Sequence, residues 1–306
     1  MNRFRERIGS GPIVVIAHRG DSAHAPENTL EAALLGHAAG AFAWELDVLR
    51  SRDGVAVVMH DETLRRTTDV AVRYADDPRG RDGFHVADFD WAEIRTLDAG
   101  SWFVDPGSPP RSTGAFGTIA AIPGPSLDRY ASGSIRVPSL VEALSLTRDL
   151  DWLVNIELKS FPENDPGLLD AVFDAIDATG TADRVLISSF NHEDVAKAAR
   201  ERPEIATGIL SETPILRPAH YVRELARADF LHVSAASLGA ESRAYRLDPR
   251  GENLSPIIDG PWAPRLVYTV NDASPGGLAV QLAALGVAGV FTDDPSSLRR
   301  LWPDKT

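Results

Sequence analysis

Eight short apolar runs with polar or charged residues at their ends, most of them separated by stretches of helical character, narrow most sharply what this chain can become. The runs are Ile13–Ala17, Phe42–Leu49, Trp152–Leu158, Arg184–Ser189, Ile205–Leu210, Phe230–Val233, Leu266–Val270 and Gly289–Thr292. Helices are predicted between them at Thr29–Ala39, Leu140–Leu150, Pro166–Thr179, Glu193–Arg200, Pro218–Ala228 and Gly277–Leu285. Alternating strands and helical crossovers predict an α/β fold, a parallel (β/α)8 TIM barrel. A doubly wound open sheet is the alternative, because periodicity does not show closure. At 306 residues the length suits one large barrel or two ordinary domains. The single barrel over residues 1–306 is the expectation, with an insertion at about 61–138.

That insertion follows the second strand. Val55–Asp61 reads as a short extra strand after a turn at Asp53-Gly54, and Asp90–Leu97 as a short helix with a capping-box pattern between Asp90 and Glu93. From Asp105 to Pro138 the chain is rich in Gly, Pro and Ser and reads as an irregular loop or lid. Ser139 and Glu142 then restart a helix.

Composition excludes several functions. A formal net charge of −13 opposes binding to nucleic acid or to an anionic membrane. It also confines any anionic substrate to a place where a local cation or a metal reverses the field. With no cysteine in the chain, disulfides, thiolate metal sites and thiol nucleophiles are out. No apolar region of signal length opens the sequence and no stretch approaches a membrane span, so a cytoplasmic protein is expected.

Barrel chemistry sits at the carboxyl ends of strands, which directs attention to the tips. His18 and Arg19 end the first run. Glu45 and Asp47 are two apart and share one strand face, while Trp44, Leu46 and Val48 take the other. Asn155, Glu157 and Lys159 share a face in the same way, opposite Val154, Ile156 and Leu158. Carboxylates side by side in a barrel repel and are costly to bury, and a divalent cation is the usual remedy. Glu45, Asp47 and Glu157 form an all-oxygen donor set that suits Ca2+ or Mg2+ better than zinc. His60 and Asp61 close the extra strand. Each residue alone has a plain structural reading, but acidic pairs, two imidazoles and two cations all falling at strand tips is a far less common coincidence.

Several stretches resemble the glycerophosphodiester phosphodiesterase family: HRG at His18–Gly20, PENT at Pro26–Thr29, ELDV at Glu45–Val48, HDETLRRTTD at His60–Asp69 and IELK at Ile156–Lys159. LDAGSWF (Leu97–Phe103), VPSLVEAL (Val137–Leu144), SSF (Ser188–Phe190), YTVN (Tyr268–Asn271) and GVFTDDP (Gly289–Pro295) follow in the family's order. The resemblance implies a barrel with an insertion after its second strand. It implies metal-dependent hydrolysis of small anionic glycerophosphodiesters to an alcohol and sn-glycerol 3-phosphate. It assigns the metal to Glu45, Asp47 and Glu157 and favours proton transfer by His18 and His60, while Arg19, by its fork, and Lys159, as a point charge, would hold the remaining phosphate oxygens. The family usually carries Trp where Tyr268 stands, which marks Tyr268 as a wall of the substrate pocket. The run from Asp105 to Arg136 is also longer than the family's ordinary linker.

Supporting roles are open at this level. Glu27 either orients Arg19 or pairs with a helix dipole, and Asp61 either orients His60 or caps a turn. Asn271 and Asp293 read as hydrated rim, His232 as a hydrogen-bonded core residue, and Trp102 and Phe103 as either pocket wall or packing. Arg65 and Arg66 read as anchors of the insertion by salt bridges, or as solvated. Rival functions are a lysophospholipase D- or phospholipase C-like enzyme, for which Phe116, Ile119, Ile122 and Leu127 would supply an apolar rim. A Schiff-base aldolase built on Lys159 leaves the carboxylates and imidazoles without a task, and a catalytically inert binding module does the same.

Overall fold

Among the described residues nine strands make one sheet: β1 (Val14–Ala17), β2 (Ala43–Arg50), β3 (Ala56–Val58), β4 (Val154–Leu158), β5 (Val185–Ser189), β6 (Ala206–Ser211), β7 (Phe230–Ser234), β8 (Arg265–Tyr268) and β9 (Gly289–Thr292). The computed structural model describes residues 2–9, 11–105, 118–160, 165–240 and 263–302. The sheet runs β1-β9-β8-β7-β6-β5-β4-β2-β3, and β1 also pairs with β2 through Ile16↔Ala43 and Ala17↔Trp44. That last pairing closes eight parallel strands into a TIM barrel and disposes of the open-sheet alternative. β3 stands outside the ring, antiparallel on β2 with Val48 opposite Val58. All eight predicted barrel strands are present, with ends shifted by one or two residues.

Closure sorts the apolar residues into layers. Trp44, Leu46 and Val48 pack outward with Val154, Ile156 and Leu158 beneath the helices Leu140–Asp149 and Leu168–Thr179. Inside the ring, Ala43, Leu186, Ala206, Phe230 and Leu266, near the beginnings of their strands, pack with Ile16 of β1 and Leu153, just before β4, around Phe4, which is fully buried. Phe4 belongs to a short helix, Arg3–Arg7, whose N-cap Asn2 accepts from the Phe4 N–H. Asn2 also donates to the carbonyls of Ala182 and Val185 at 3.0 and 2.9 Å. This segment, unassigned from sequence, plugs the amino end of the barrel. Burying one phenyl ring there stabilises the fold by about 1.5–3 kcal/mol, and it leaves the carboxyl end as the open face.

The insertion has an apolar cluster of its own, built from Phe84, Phe89, Phe103, Tyr130 and Ile135 against Ala25, Ala32 and Val57. Part of the stretch read as irregular is helical, Gly124–Ala131, with proline in its first turn where a missing N–H costs nothing. The lid reading of residues 106–117, including Phe116, lies outside the described residues. Of the other proposed rim residues, Ile122 is buried, and Ile119 and Leu127 pack partly against the same cluster. Phe103 is buried there as well, and the Trp102 indole donates to the Ala99 carbonyl, so both serve packing. Predicted helix Pro218–Ala228 is a short α-turn, Pro218–His220, continued by a π-turn, Tyr221–Leu225. No helix among the described residues is long and apolar enough to cross a membrane.

Candidate active site

The register of β4 on β2 sets Glu45 beside Asn155 and Asp47 beside Glu157. Ligand oxygens of Glu45, Asp47 and Glu157 consequently lie within 4.8 Å of one another, and all three residues are buried. The turn after β1 brings His18 and Arg19 to the same place. It is tight: Gly20 has φ +81°, and a Cβ there would stand 2.5 Å from the carbonyl carbon of Ala32 in the helix Leu30–Ala38. Only glycine lets the HRG turn lie flat on that helix. The Arg19 N–H then donates to Glu45 Oε2 at 2.8 Å, and Asn28 donates from Nδ2 to Asp47 Oδ2 at 2.8 Å.

Charge in this cluster is finely divided. Lys159 Nζ lies 2.9 Å from Asp47 Oδ1 and also bonds Glu157, and Arg19 Nε lies 3.2 Å from Asp47 Oδ2. Burial pushes the Asp47 carboxyl up, but Lys159, His60 and Arg19 outweigh it and hold the carboxyl well below its usual range. Glu45 has the opposite fate. Burial, then the neighbouring Asp47 charge, push it up to about 8. Its Oε1 is buried without a hydrogen-bond partner, an expensive arrangement for a lone carboxylate. An orphaned oxygen in a buried, all-oxygen trio is what a hard divalent ion satisfies, so the donor set fits Ca2+ or Mg2+.

Two imidazoles flank the carboxylates, each held by its Nδ1. His18 bonds Asp293 Oδ1 at 2.6 Å and His60 bonds Asp61 Oδ1 at 2.7 Å. With Nδ1 engaged, Nε2 is the nitrogen left for chemistry. Burial and Arg19 push the His18 pKa down, but Asp293 and Glu45 outweigh them and the net shift is upward. Asp293 itself is drawn down to about 2: burial opposes this, while His18 and a bond from Asn271 Nδ2 at 2.6 Å favour it. Asp293 thus anchors a histidine, which corrects its reading as hydrated rim, while Asn271 is exposed and bonds Asp293.

Glu27 and Asp61 are connected as well. Arg66 donates to both Glu27 oxygens at 2.8 and 2.9 Å and to both Asp61 oxygens at 2.6 and 2.8 Å. Glu27 in turn accepts from Arg19 at 2.9 Å. One continuous chain, His60–Asp61–Arg66–Glu27–Arg19–Asp47, therefore couples the second histidine to the carboxylate trio. Arg65, its neighbour in sequence, stacks over Phe84 instead, 5.1 Å from the ring centre.

The cluster lines a cavity of about 460 Å3 at the carboxyl end of the barrel. His18, Arg19, His60, Glu157 and Lys159 form one side, and Phe190, Glu212 and Tyr268 stand among the residues of the rest. A second cavity of about 20 Å3, room for a single water, shares His18, Glu157 and Tyr268 with it and reaches Glu45, Asn155 and His232. His232 is fully buried, with neither ring nitrogen hydrogen-bonded, and burial drags it down to about 3. It is a core residue, but a neutral and unpartnered one. Gly208 makes room for it, since a Cβ there would meet its Nε2 at 2.6 Å.

Residues 18–297 match the model of the glycerophosphoryl diester phosphodiesterase family. A glycerophosphodiester phosphodiesterase of Caldanaerobacter subterraneus subsp. tengcongensis is 32% identical over 298 residues, covering 94% of this chain and 97% of the relative. Among solved structures, an Oleispira antarctica phosphodiesterase in complex with the product sn-glycerol-3-phosphate is 27% identical. It superposes with a TM-score of 0.68 over 94% of this chain and 96% of that one. A glycerophosphodiester phosphodiesterase from Agrobacterium tumefaciens is 25% identical with a TM-score of 0.61, over 94% of this chain and 99% of that one.

Proposed function

The chain belongs to the glycerophosphoryl diester phosphodiesterase family, and from that premise we propose a metal-assisted, two-histidine mechanism acting on a small glycerophosphodiester. Glycerophosphodiester phosphodiesterase activity, a phosphoric diester hydrolysis, is what the family and its relatives support. The finer reading rests on one observation: three buried carboxylates converge within 4.8 Å of one another beside a pocket that both anchored imidazoles line.

Glu45, Asp47 and Glu157 would hold the ion, Ca2+ or Mg2+, which when bound offsets charge developing on a non-bridging phosphoryl oxygen. Arg19 and Lys159 bind the remaining oxygens, the first through its planar fork and the second as a point charge. This concentration of cations answers the overall acidity of the chain. One imidazole takes the proton from the attacking oxygen, which is water or the glycerol 2-hydroxyl; attack by the hydroxyl gives a cyclic phosphate first, which water then opens to sn-glycerol 3-phosphate. The other delivers a proton to the leaving alcohol, so an alkoxide is never released. Asp293 and Asp61 keep Nδ1 occupied and aim Nε2 at the substrate, while Glu27 and Arg66 hold Arg19. Tyr268 walls the pocket. The whole chain serves as one barrel domain, with the segment at about 61–138 as its insertion.

The test is release of sn-glycerol 3-phosphate from glycerophosphodiesters, before and after chelation. Activity lost in chelator and restored by Ca2+ or Mg2+ is expected. His18→Ala and His60→Ala should each cost roughly 10^2–10^4-fold in turnover, the usual worth of a proton-transfer group, while the ion still binds. Full turnover in chelator would remove the metal from the scheme, and wild-type turnover in either variant would remove that histidine.

A further inference from the structure

The pocket is charged at two ends, and the catalytic scheme uses only one. In a ring of eight parallel strands, β6 stands four strands from β1 in either direction. Glu212 directly follows the last residue of β6, as His18 and Arg19 follow β1, so it stands across the mouth from Arg19, while Lys159, after β4, is two strands away. It is exposed, lines the cavity and makes no hydrogen bond or ion pair with any described residue. Two aromatic rings share that wall: Phe190, after β5, and Tyr268, at the end of β8, meet edge to face at 6.3 Å and 89°. Burial and then the Glu212 charge raise the Tyr268 phenol, which places the carboxylate within electrostatic reach of the ring.

A carboxylate beside aromatic faces is the chemistry that recognises an organic cation. Of the two groups esterified to the phosphate, glycerol is uncharged and gives a carboxylate no ion to pair with. We propose that Glu212, with Phe190 and Tyr268, forms a subsite for a positively charged leaving alcohol, so that the preferred substrates are glycerophosphodiesters of amino or quaternary-ammonium alcohols. This rests on the phosphodiesterase reading above and sharpens it. Such a diester is a zwitterion with no net charge. It approaches a protein of net charge −13 without the long-range repulsion that an anionic diester meets.

The experiment compares glycerophosphocholine with its 3,3-dimethylbutyl isostere, in which carbon replaces the charged nitrogen at nearly constant shape. The full chain is used with Ca2+ or Mg2+ present. The wild type should favour the choline ester by about tenfold in kcat/KM, mostly through KM, and the preference should shrink as salt rises. Glu212→Gln should bring the ratio to within about twofold of one, and Glu212→Asp should keep part of it. Equal rates in the wild type, or an unchanged ratio in Glu212→Gln with an unchanged melting curve, overturn the subsite and leave the phosphodiesterase reading standing. Failure of the wild type to cleave either ester, or glycerophosphoglycerol, overturns both.

Discussion

Asp293→Asn is the substitution with the most specific consequence. The carboxylate accepts from Asn271 Nδ2 at 2.6 Å through Oδ2, while Oδ1 faces His18 Nδ1 at 2.6 Å and the Ser22 hydroxyl at 3.0 Å. An amide in that place keeps its bond to Asn271 only by turning its oxygen towards it. Its NH2 then points at His18, and Nδ1 must become an acceptor. The imidazole proton moves to Nε2, the nitrogen that faces the pocket, and the neutral ring can no longer take a proton there. A misplaced tautomer of this kind costs on the order of 10^4-fold in a serine-protease triad. Here a loss of about 10^2–10^4-fold in kcat is expected. The electrostatic part can be read separately. A charge-assisted hydrogen bond contributes roughly 1.5–3 kcal/mol, and one pKa unit is about 1.36 kcal/mol, so His18 should fall by about one to two units.

The sign of the pH effect follows. Asp293 raises the His18 pKa above 6.5, so the limb of the pH–rate profile that reports His18 lies above that value in the wild type. It moves to lower pH in the variant, whether His18 is the acid or the base. The raised pKa also means that the pair's contribution to stability is complete below about pH 6.5 and fades as pH rises through the folded value. Initial rates of sn-glycerol 3-phosphate release between pH 5 and 9, with imidazole 15N shifts for the tautomer, measure all of this. A variant with kcat within threefold of wild type and an unmoved limb would refute the argument.

The Arg66 bridge makes a second prediction. Arg66→Ala leaves Glu27 and Asp61 short of a partner and should cost about 10–100-fold in kcat, with a measurable fall in stability. Arg66→Lys should recover only part, because one ammonium does not span two carboxylates bidentately. A folded Arg66→Ala protein with wild-type kcat would show the bridge to be purely structural. For the metal, burial and then the Asp47 charge push Glu45 up to about 8, so ion binding near pH 7 should displace a proton from it. Calorimetry in buffers of different ionisation enthalpy should find about one proton released per ion, with apparent affinity rising as pH approaches 8. Binding of Ca2+ with no proton released would contradict this account of Glu45.

Much of the site was legible because a parallel strand writes its geometry into spacing. Glu45 and Asp47, and likewise Glu157 and Lys159, stand out as ionisable pairs two apart in apolar runs, and the interval puts each pair on one face of its strand. Closure of the ring was not legible, since it depends on β1 meeting both β2 and β9 and leaves no mark on either sequence. Asp293 escaped for a related reason. Its partner His18 is 275 residues away, and the doublet with Asp294 looks like an ordinary helix start, which Asp294 indeed provides by capping Ser297. Arg65 and Arg66 are equivalent in sequence, and only the three-dimensional path of the insertion sends one to stack on Phe84 and the other to the carboxylates. The helix Gly124–Ala131 hid behind its own Gly-Pro start, and the plug at Phe4 is a single apolar residue set among arginines, with no apolar run to mark it.

Arg66 and His60 both come from the segment outside the eight-stranded ring, so the two-histidine proposal makes catalytic competence and barrel integrity separable properties. The insertion rests on a smaller apolar cluster than the ring does, so warming should loosen it first. The enzyme would then fall silent while its far-ultraviolet circular dichroism is still that of the native fold. A temperature gap between inactivation and global melting, narrowed when ligand bridges the two parts, is the signature of a catalyst assembled at a seam.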